Sequence, residues 1–291
     1  MIIFEYIKLI YYLIHPRSIF IKGFSSAIGD SLLLSSVLPH VRKKYPDKKI
    51  IVKTSKPELF LNNPYPDWVT SRHIKTTKKF IRPKYHIWPD KTESVYLQMM
   101  QYFGFNFEGT PEIYLSEKEI NSVREEFDFD YIAVCPTGKQ GFCGNRKEWG
   151  FDKFQKVVNS FPQIKFVQIG LENDTLLDNV IDRRGKNIRY PGAIIKNSLF
   201  FFGLEGGLMH IAKAVGKRAV IIYGGVILEE STGYQENINI TNKIYCSPCY
   251  NSDKKIGDCE HMTCMKEITH EVVIENIAIL LKKIGSKKYL N

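Results

Sequence analysis

Gly203-Leu204-Glu205-Gly206-Gly207-Leu208-Met209-His210 lies between an apolar run over 199–202 and a helical pattern over 208–215. Gly216 and Lys217 follow, and then the strand-like 218–223. Strand, glycine turn, helix and strand in that order are the signature of a parallel α/β unit. Glycines at the end of such a strand let the backbone come close to a ligand. The helix behind them offers unpaired N–H groups and a positive dipole end to an anion, and a diphosphate fits that chemistry. His210 falls in the first turn of the helix. There it either donates to a phosphate oxygen or packs beneath the loop.

The same alternation runs outward in both directions. Towards the N-terminus, strands are expected over 131–135 and 165–170, with a helix over 152–159 and a polar helix around 174–183. Ser116-Glu117-Lys118-Glu119 has the spacing of a capping box, which opens a further helix running towards Glu126. An earlier α/β unit precedes it: a strand over 18–24, a loop over 25–30, a helix over 31–44 closed by Pro46, and a strand over 49–53. The boundary is placed at 115/116. Residues 1–115 and 116–291 are then read as two Rossmann-like domains facing a shared cleft, with no internal repeat.

The chain has 291 residues, 41 Lys and Arg against 31 Asp and Glu, and a net charge of +10. That size suits two packed domains, and with 44% hydrophobic residues it excludes disordered and collagen-like chains. The charge is uneven: residues 1–115 hold 17 basic and 9 acidic residues, the remainder 24 and 22. A field attracting an anionic partner therefore belongs to the first domain. Its densest part is 72–86, where Arg72, Lys75, Lys78, Lys79, Arg82 and Lys84 occur with no acid and alternate with Phe80 and Tyr85. An acidic or phosphorylated glycan, a phosphate backbone with stacking aromatics, or solvent alone fits such a stretch.

The apolar opening, 1–14, is broken by Glu5 and Lys8 and is too short to cross a bilayer. It has neither the basic start nor the cleavage site of a signal peptide, so a cytoplasmic protein is expected. The segment reads either as an amphipathic helix packed on the protein body or as a helix lying at a membrane surface.

Three further places carry candidate chemistry. Asp30 follows Gly29 at the first strand-to-helix turn, where it reads as a helix N-cap or as a general base. Asn145-Arg146-Lys147-Glu148-Trp149 follows a loop containing Gly138, Gly141 and Gly144, and Lys147 could neutralise charge on a departing diphosphate. GxxxxGK followed by Ser or Thr is absent, which removes a P-loop ATPase. Finally, Cys246-x2-Cys249-x9-Cys259-x4-Cys264, with His261 inside it, can hold a structural zinc or form two disulfides. Cys135 and Cys143 read as ordinary thiols.

These segments, in this order, resemble the family-nine glycosyltransferases, the group that includes the heptosyltransferases of the lipopolysaccharide core. The matching stretches are 27–32 with Tyr45-Pro46, then Lys147-Glu148-Trp149, then 205–216 leading to Tyr223-Gly224. Cys246-Ser247-Pro248-Cys249 and Cys264-Met265 look like the family's C-terminal cysteine region. The resemblance implies a GT-B architecture with the acceptor on the first domain and a nucleotide-diphosphate sugar on the second. It implies no catalytic metal or other cofactor. Asp30 then matches the catalytic base, and Lys147, Glu205, Gly206, Gly207 and His210 the donor site. Glu172 falls near an acidic position that binds ribose. Heptosyltransferases usually carry Asp-Thr-Gly where this chain has Glu205-Gly206-Gly207, so a phosphate-binding hydroxyl is missing.

The expected reaction is inverting transfer to an anionic glycan or glycolipid, with Arg72, Lys75, Lys78, Lys79 and Arg82 on the acceptor side and peripheral contact with the inner membrane surface through 1–14. The alternatives are a glycosyltransferase acting on a modified base in nucleic acid, and a non-catalytic nucleotide-binding module.

Overall fold

The computed structural model describes residues 7, 10–23, 25–73, 79–87, 93–138, 141, 143–249 and 257–286. The chain divides into two compact units, Met1–Tyr85 with Tyr96–Tyr114, and His86–Val95 with Leu115–Asn291. The second unit thus takes a short segment from within the first 115 residues.

The first unit is built on four parallel strands, β1 (Ser18–Lys22), β2 (Lys49–Lys53), β3 (Trp68–Thr70) and β4 (Phe80–Ile81), in the order β3-β2-β1-β4. The helix Ile28–Lys44 connects β1 to β2. Nine of its residues from Ser31 to Val41 are buried, and its last turn carries Arg42, Lys43 and Lys44, which suit the negative end of its dipole. Beneath the sheet Tyr12 stacks on Trp68 at 5.8 Å and joins Phe20 and Ile51 in a small core. Tyr12 thereby pins a helical segment over residues 10–14 to the unit. Ile7, Ile10, Tyr11 and Ile14 remain exposed, at the i, i+3, i+4, i+7 spacing of one helical face. No helix among the described residues is long and apolar enough to cross a membrane.

The second unit contains β5 (Tyr131–Cys135), β6 (Lys165–Gln168), β7 (Ile181–Asp182), β8 (Phe201–Leu204), β9 (Ala219–Tyr223) and β10 (Ile238–Thr241). They pair in parallel in the order β10-β9-β8-β5-β6-β7. Numbered within the unit this is 3-2-1-4-5-6, the doubly wound order whose reversal point, here between β5 and β8, is where such sheets bind ligands. The central strands β5, β8 and β9 are buried throughout, as strands covered on both faces must be. Ser116 caps the helix Glu117–Glu126, and the reciprocal contact from Glu119 is present.

One expected element is replaced. The span 174–183 forms turns and the short strand β7 instead of a polar helix. Side chains satisfy its backbone: Asp174 accepts from the Leu171 amide at 2.7 Å, while Gln168 bonds the Thr175 carbonyl at 2.7 Å and the Leu177 amide at 2.8 Å. Such local bonding by Asp and Gln competes with a helix. Conversely, Arg189–Asn197 is helical despite Pro191 and Gly192, because Pro191 lies in the first turn, where no amide is needed. The helix His270–Lys283 was not expected either. It buries Val273, Ile277, Leu280 and Leu281 in the core of the second unit.

Candidate active site

In the second unit the reversal point gathers most of the expected donor residues. Glu205 stands immediately after β8, and Lys147 ends a 3-10 turn, Gly144–Lys147, in the connection leaving β5. The Lys147 ammonium donates to Glu205 Oε2, and the two side chains are only 13% and 8% exposed. Gly138 makes this approach possible: a Cβ there would lie 3.1 Å from Lys147 Cβ and 3.2 Å from its carbonyl oxygen. Gly224 does the same from β9, since a Cβ would stand 2.8 Å from the Arg146 carbonyl oxygen.

Gly206 occupies the N-cap of the helix Gly207–Ala214 and has no side chain to cap it. The helix thus begins just beyond Glu205 with no side-chain cap on its first amides, the kind of helix end that suits an anion. His210 follows one turn in, 5% exposed, with Nδ1 2.9 Å from the Tyr234 hydroxyl and the two rings edge to face. The histidine is thus buried under the loop, oriented by Tyr234. Glu172 stands one strand further along the same edge, on the exposed turn after β6. Among the described residues no hydrogen bond or ion pair joins it to Lys147, Glu205 or His210.

The cysteine segment meets the lysine-bearing turn from the side. Arg146 Nε donates to the Gly257 carbonyl at 2.8 Å, and the Asn145 amide donates to Asp258 at 2.9 Å. The Asn145 side chain bonds both the Cys259 carbonyl, at 3.1 Å, and its amide, at 2.8 Å. Trp149 Nε1 reaches the Ile268 carbonyl at 2.8 Å, and Lys153 donates to the carbonyls of Met265, Lys266 and Ile268. The segment thereby fixes the turn that carries Lys147.

All six cysteines are free of disulfides. Cys246 Sγ lies 4.0 Å from His261 Nε2 and Cys264 Sγ accepts from the Gly225 amide at 3.2 Å. Burial pushes the Cys249 thiol up, against the opposing pull of Arg146. Among the described residues no three His, Cys, Asp or Glu side chains stand together as a metal-holding group, those of Cys246, Cys249, Cys259 and Cys264 included. Cys135 is buried and its thiol is pushed up to about 12 by desolvation, which leaves it inert.

In the first unit Asp30 is not an N-cap. Ala27 holds that position, and Asp30 is the third residue of the helix, where its charge suits the positive dipole end. Its carboxylate accepts from the Tyr85 hydroxyl at 2.5 Å and from Ser25 Oγ. Ser25 belongs to the connection leaving β1 and Tyr85 to the chain leaving β4, so Asp30 lies at the reversal point of this sheet too. The carboxylate is half-buried, and each oxygen keeps acceptor capacity for an incoming hydroxyl. Of the basic stretch, Arg72, Lys79 and Arg82 are exposed, whereas Lys75 and Lys78 lie outside the described residues.

Neither Tyr85 nor Tyr234 was expected to orient a site residue; in the sequence Tyr85 reads only as a stacking aromatic of the basic stretch. Nothing in their local sequence marks a hydroxyl that orients a carboxylate or an imidazole; only the fold brings each pair together across 55 and 24 residues.

The sequence matches no protein-family model and no curated protein. Solved structures do resemble it. The glycosyl transferase family 9 protein from Veillonella parvula DSM 2008 superposes with a TM-score of 0.74 at 16% identity, covering 92% of this chain and 98% of that one. The iron-containing dodecameric glycosyltransferase TibC from enterotoxigenic E. coli H10407 gives 0.75 at 15%, covering 92% and 79%. E. coli ADP-heptose lps heptosyltransferase II gives 0.68 at 14%, covering 92% and 99%. With two parallel sheets that each reverse their strand order, the chain has the fold of the family 9 glycosyltransferases.

Proposed function

We propose that the protein is an inverting glycosyltransferase that moves a sugar from a nucleotide-diphosphate sugar to a hydroxyl of an anionic glycan or lipopolysaccharide-type acceptor. The observation that carries this reading is the division of chemistry between the two sheets: a hydrogen-bonded carboxylate, Asp30, at one reversal point, and a lysine beside an uncapped helix end at the other. Related folds have been solved with ADP and with ADP-heptose-type ligands, which supports a nucleotide sugar as the donor.

In the proposed reaction Asp30 accepts the proton of the acceptor hydroxyl as its oxygen bonds to the anomeric carbon. The bond from that carbon to the diphosphate oxygen breaks with its electron pair, and attack opposite the leaving group inverts the centre. Charge developing on the nucleoside diphosphate is met by the amides of Gly207–Ala214 and by the Lys147 ammonium, with no metal ion required in the scheme. Glu205 holds that ammonium in place, and His210, its ring held by Tyr234 beneath the glycine loop, is assigned to the donor site. Glu172, on the neighbouring turn, is assigned to the ribose.

The basic side chains Arg72, Lys75, Lys78, Lys79 and Arg82 are assigned to the acceptor. The exposed row Ile7, Ile10, Tyr11 and Ile14 supports peripheral contact of 1–14 with a membrane surface in the cytoplasm, where the basic first domain favours anionic lipid.

Thermal-shift screening of ADP-, GDP- and UDP-sugars tests the donor assignment, because a ligand bound only by the folded state raises the melting temperature with saturation. A shift with at least one nucleotide sugar is expected. No shift with any of them at millimolar concentration would overturn the reading.

A further inference from the structure

The carboxyl edge of the first sheet carries a row of three cations that the sequence does not group. Lys22 ends β1 and pairs in register with Lys53, which ends β2. On the other side β1 pairs with β4 as Phe20↔Phe80 and Ile21↔Ile81, so Lys22 and Arg82 leave the sheet together. Side chains two residues apart on a strand share a face. The row therefore lies above Ile51, Phe20 and Phe80, which already pack together on one face with Phe20 and Phe80 5.4 Å apart. Neighbouring strands are about 4.8 Å apart, so the three stems begin within about 10 Å.

Like charges placed directly opposite on adjacent strands are destabilising. At the amino edge of this sheet two cations do share a carboxylate, since Arg42, from the helix, and Lys49 both pair with Asp67. At the carboxyl edge no ion pair to Lys22, Lys53 or Arg82 exists among the described residues. Burial lowers the Lys53 ammonium, and the charges of Lys22 and Arg82 lower it further, so the three groups sense one another. Three residues beyond Lys22 is Ser25, and three beyond Arg82 is Tyr85, the two donors to Asp30. The cations and the carboxylate thus share one edge, approached from its two sides: the cations leave the face opposite the helix of Asp30, on whose side Thr54 meets Ser31.

We propose that Lys22, Lys53 and Arg82 form a receptor for a phosphoryl dianion carried by the acceptor, one that holds its hydroxyl beside Asp30. A dianion offsets the triple charge better than a single carboxylate, and two ammonium groups and a guanidinium can each donate a charge-assisted hydrogen bond to a tetrahedral oxyanion at about 2.8 Å. The proposal rests on the assignment of the acceptor to the first unit, and it narrows that acceptor from anionic to phosphorylated.

The test titrates inorganic phosphate into the full-length protein by calorimetry at low ionic strength, with ADP present in excess so that the second unit's phosphate site is filled. Lys22→Gln, Lys53→Gln and Arg82→Gln are compared with Lys48→Gln at the opposite edge. Each of the three is expected to weaken phosphate binding about tenfold, while Lys48→Gln and wild type bind alike; glucuronate should compete poorly. Absence of phosphate binding, equal binding by all variants, or stronger binding of glucuronate would overturn the proposal. Release of nucleoside diphosphate from a nucleotide sugar, measured on the same samples without phosphate, reports the transferase reading separately.

Discussion

Replacing Lys147 by methionine removes the ammonium from a carboxylate with little solvent to turn to, since the Glu205 side chain is 8% exposed. Breaking a buried ion pair by removing one partner costs about 3–5 kcal/mol, mostly because the remaining charge stays buried. For a body the size of the second unit, about 2–4 °C of melting temperature corresponds to each kcal/mol, so the transition of that unit should fall by about 6–20 °C. Adding Glu205→Met removes the stranded charge. Apolar replacement of a whole buried pair is commonly neutral or stabilising, so the double variant should recover most of the loss. Donor affinity should not recover, because the group assigned to the diphosphate is still missing. Calorimetric melting, with and without a nucleotide sugar that shifts the wild type, reads both effects. A shift below about 1 °C in the single variant, against the expected cost, would contradict a buried pair, and ligand stabilisation of the double variant equal to wild type would remove Lys147 from the donor site.

Tyr85→Phe deletes the 2.5 Å hydrogen bond to Asp30; a hydrogen bond to a charged group is worth about 1.5–3 kcal/mol, so transfer should fall at least about tenfold with nucleotide-sugar binding intact. Unchanged turnover would show that Tyr85 does not position the carboxylate. The Arg189 guanidinium beside Glu119 holds its carboxyl down from 4.5 to about 2. A depressed carboxyl contributes stability that is present above the unfolded value and is lost as pH falls from about 4.5 through about 2. The side chain is 31% exposed, so solvent reduces the contribution to about 1–2 kcal/mol. Glu119→Gln should therefore melt lower than wild type at pH 7 and nearly together with it near pH 2; a constant gap would contradict the ion pair. Ile10→Ser with Ile14→Ser should weaken sedimentation with anionic phospholipid vesicles at least about tenfold, from the apolar area withdrawn. Equal sedimentation would sink the membrane contact.

Several elements were legible because local chemistry determines them. The span 131–135 is a run of β-formers with no competing helical period, and Ser116 with Glu119 specifies a cap by spacing alone, so both stand where the sequence puts them. The strand β8 begins two residues later than expected, because in the apolar run 199–204 pairing with β5 and β9 sets the limits, and pairing is not a local property. Side chains that satisfy the backbone from several residues away, as Gln168 and Asp174 do, turn a polar stretch into loop without leaving a periodic sign.

The candidate site divides in the same way. Asp30, Lys147, Glu205 and His210 stand in short motifs beside glycines and could be named from the sequence. The partners that orient them could not. Tyr85 and Tyr234 arrive by topology, and Lys22 and Lys53 become one feature only when two strands pair in register. The spacing of the cysteine segment left zinc and disulfides open and gave no sign that its backbone would hold the Asn145-Arg146-Lys147 turn.

The central claim is that Asp30 takes a proton in a glycosyl transfer whose donor is held elsewhere. The direct measurement is release of nucleoside diphosphate from the nucleotide sugar that gives the largest thermal shift, by wild type and by Asp30→Ala, with the shift itself recorded for both. The account predicts release by the wild type, none above background by Asp30→Ala, and thermal shifts that agree between the two. Release by Asp30→Ala at the wild-type rate would contradict it.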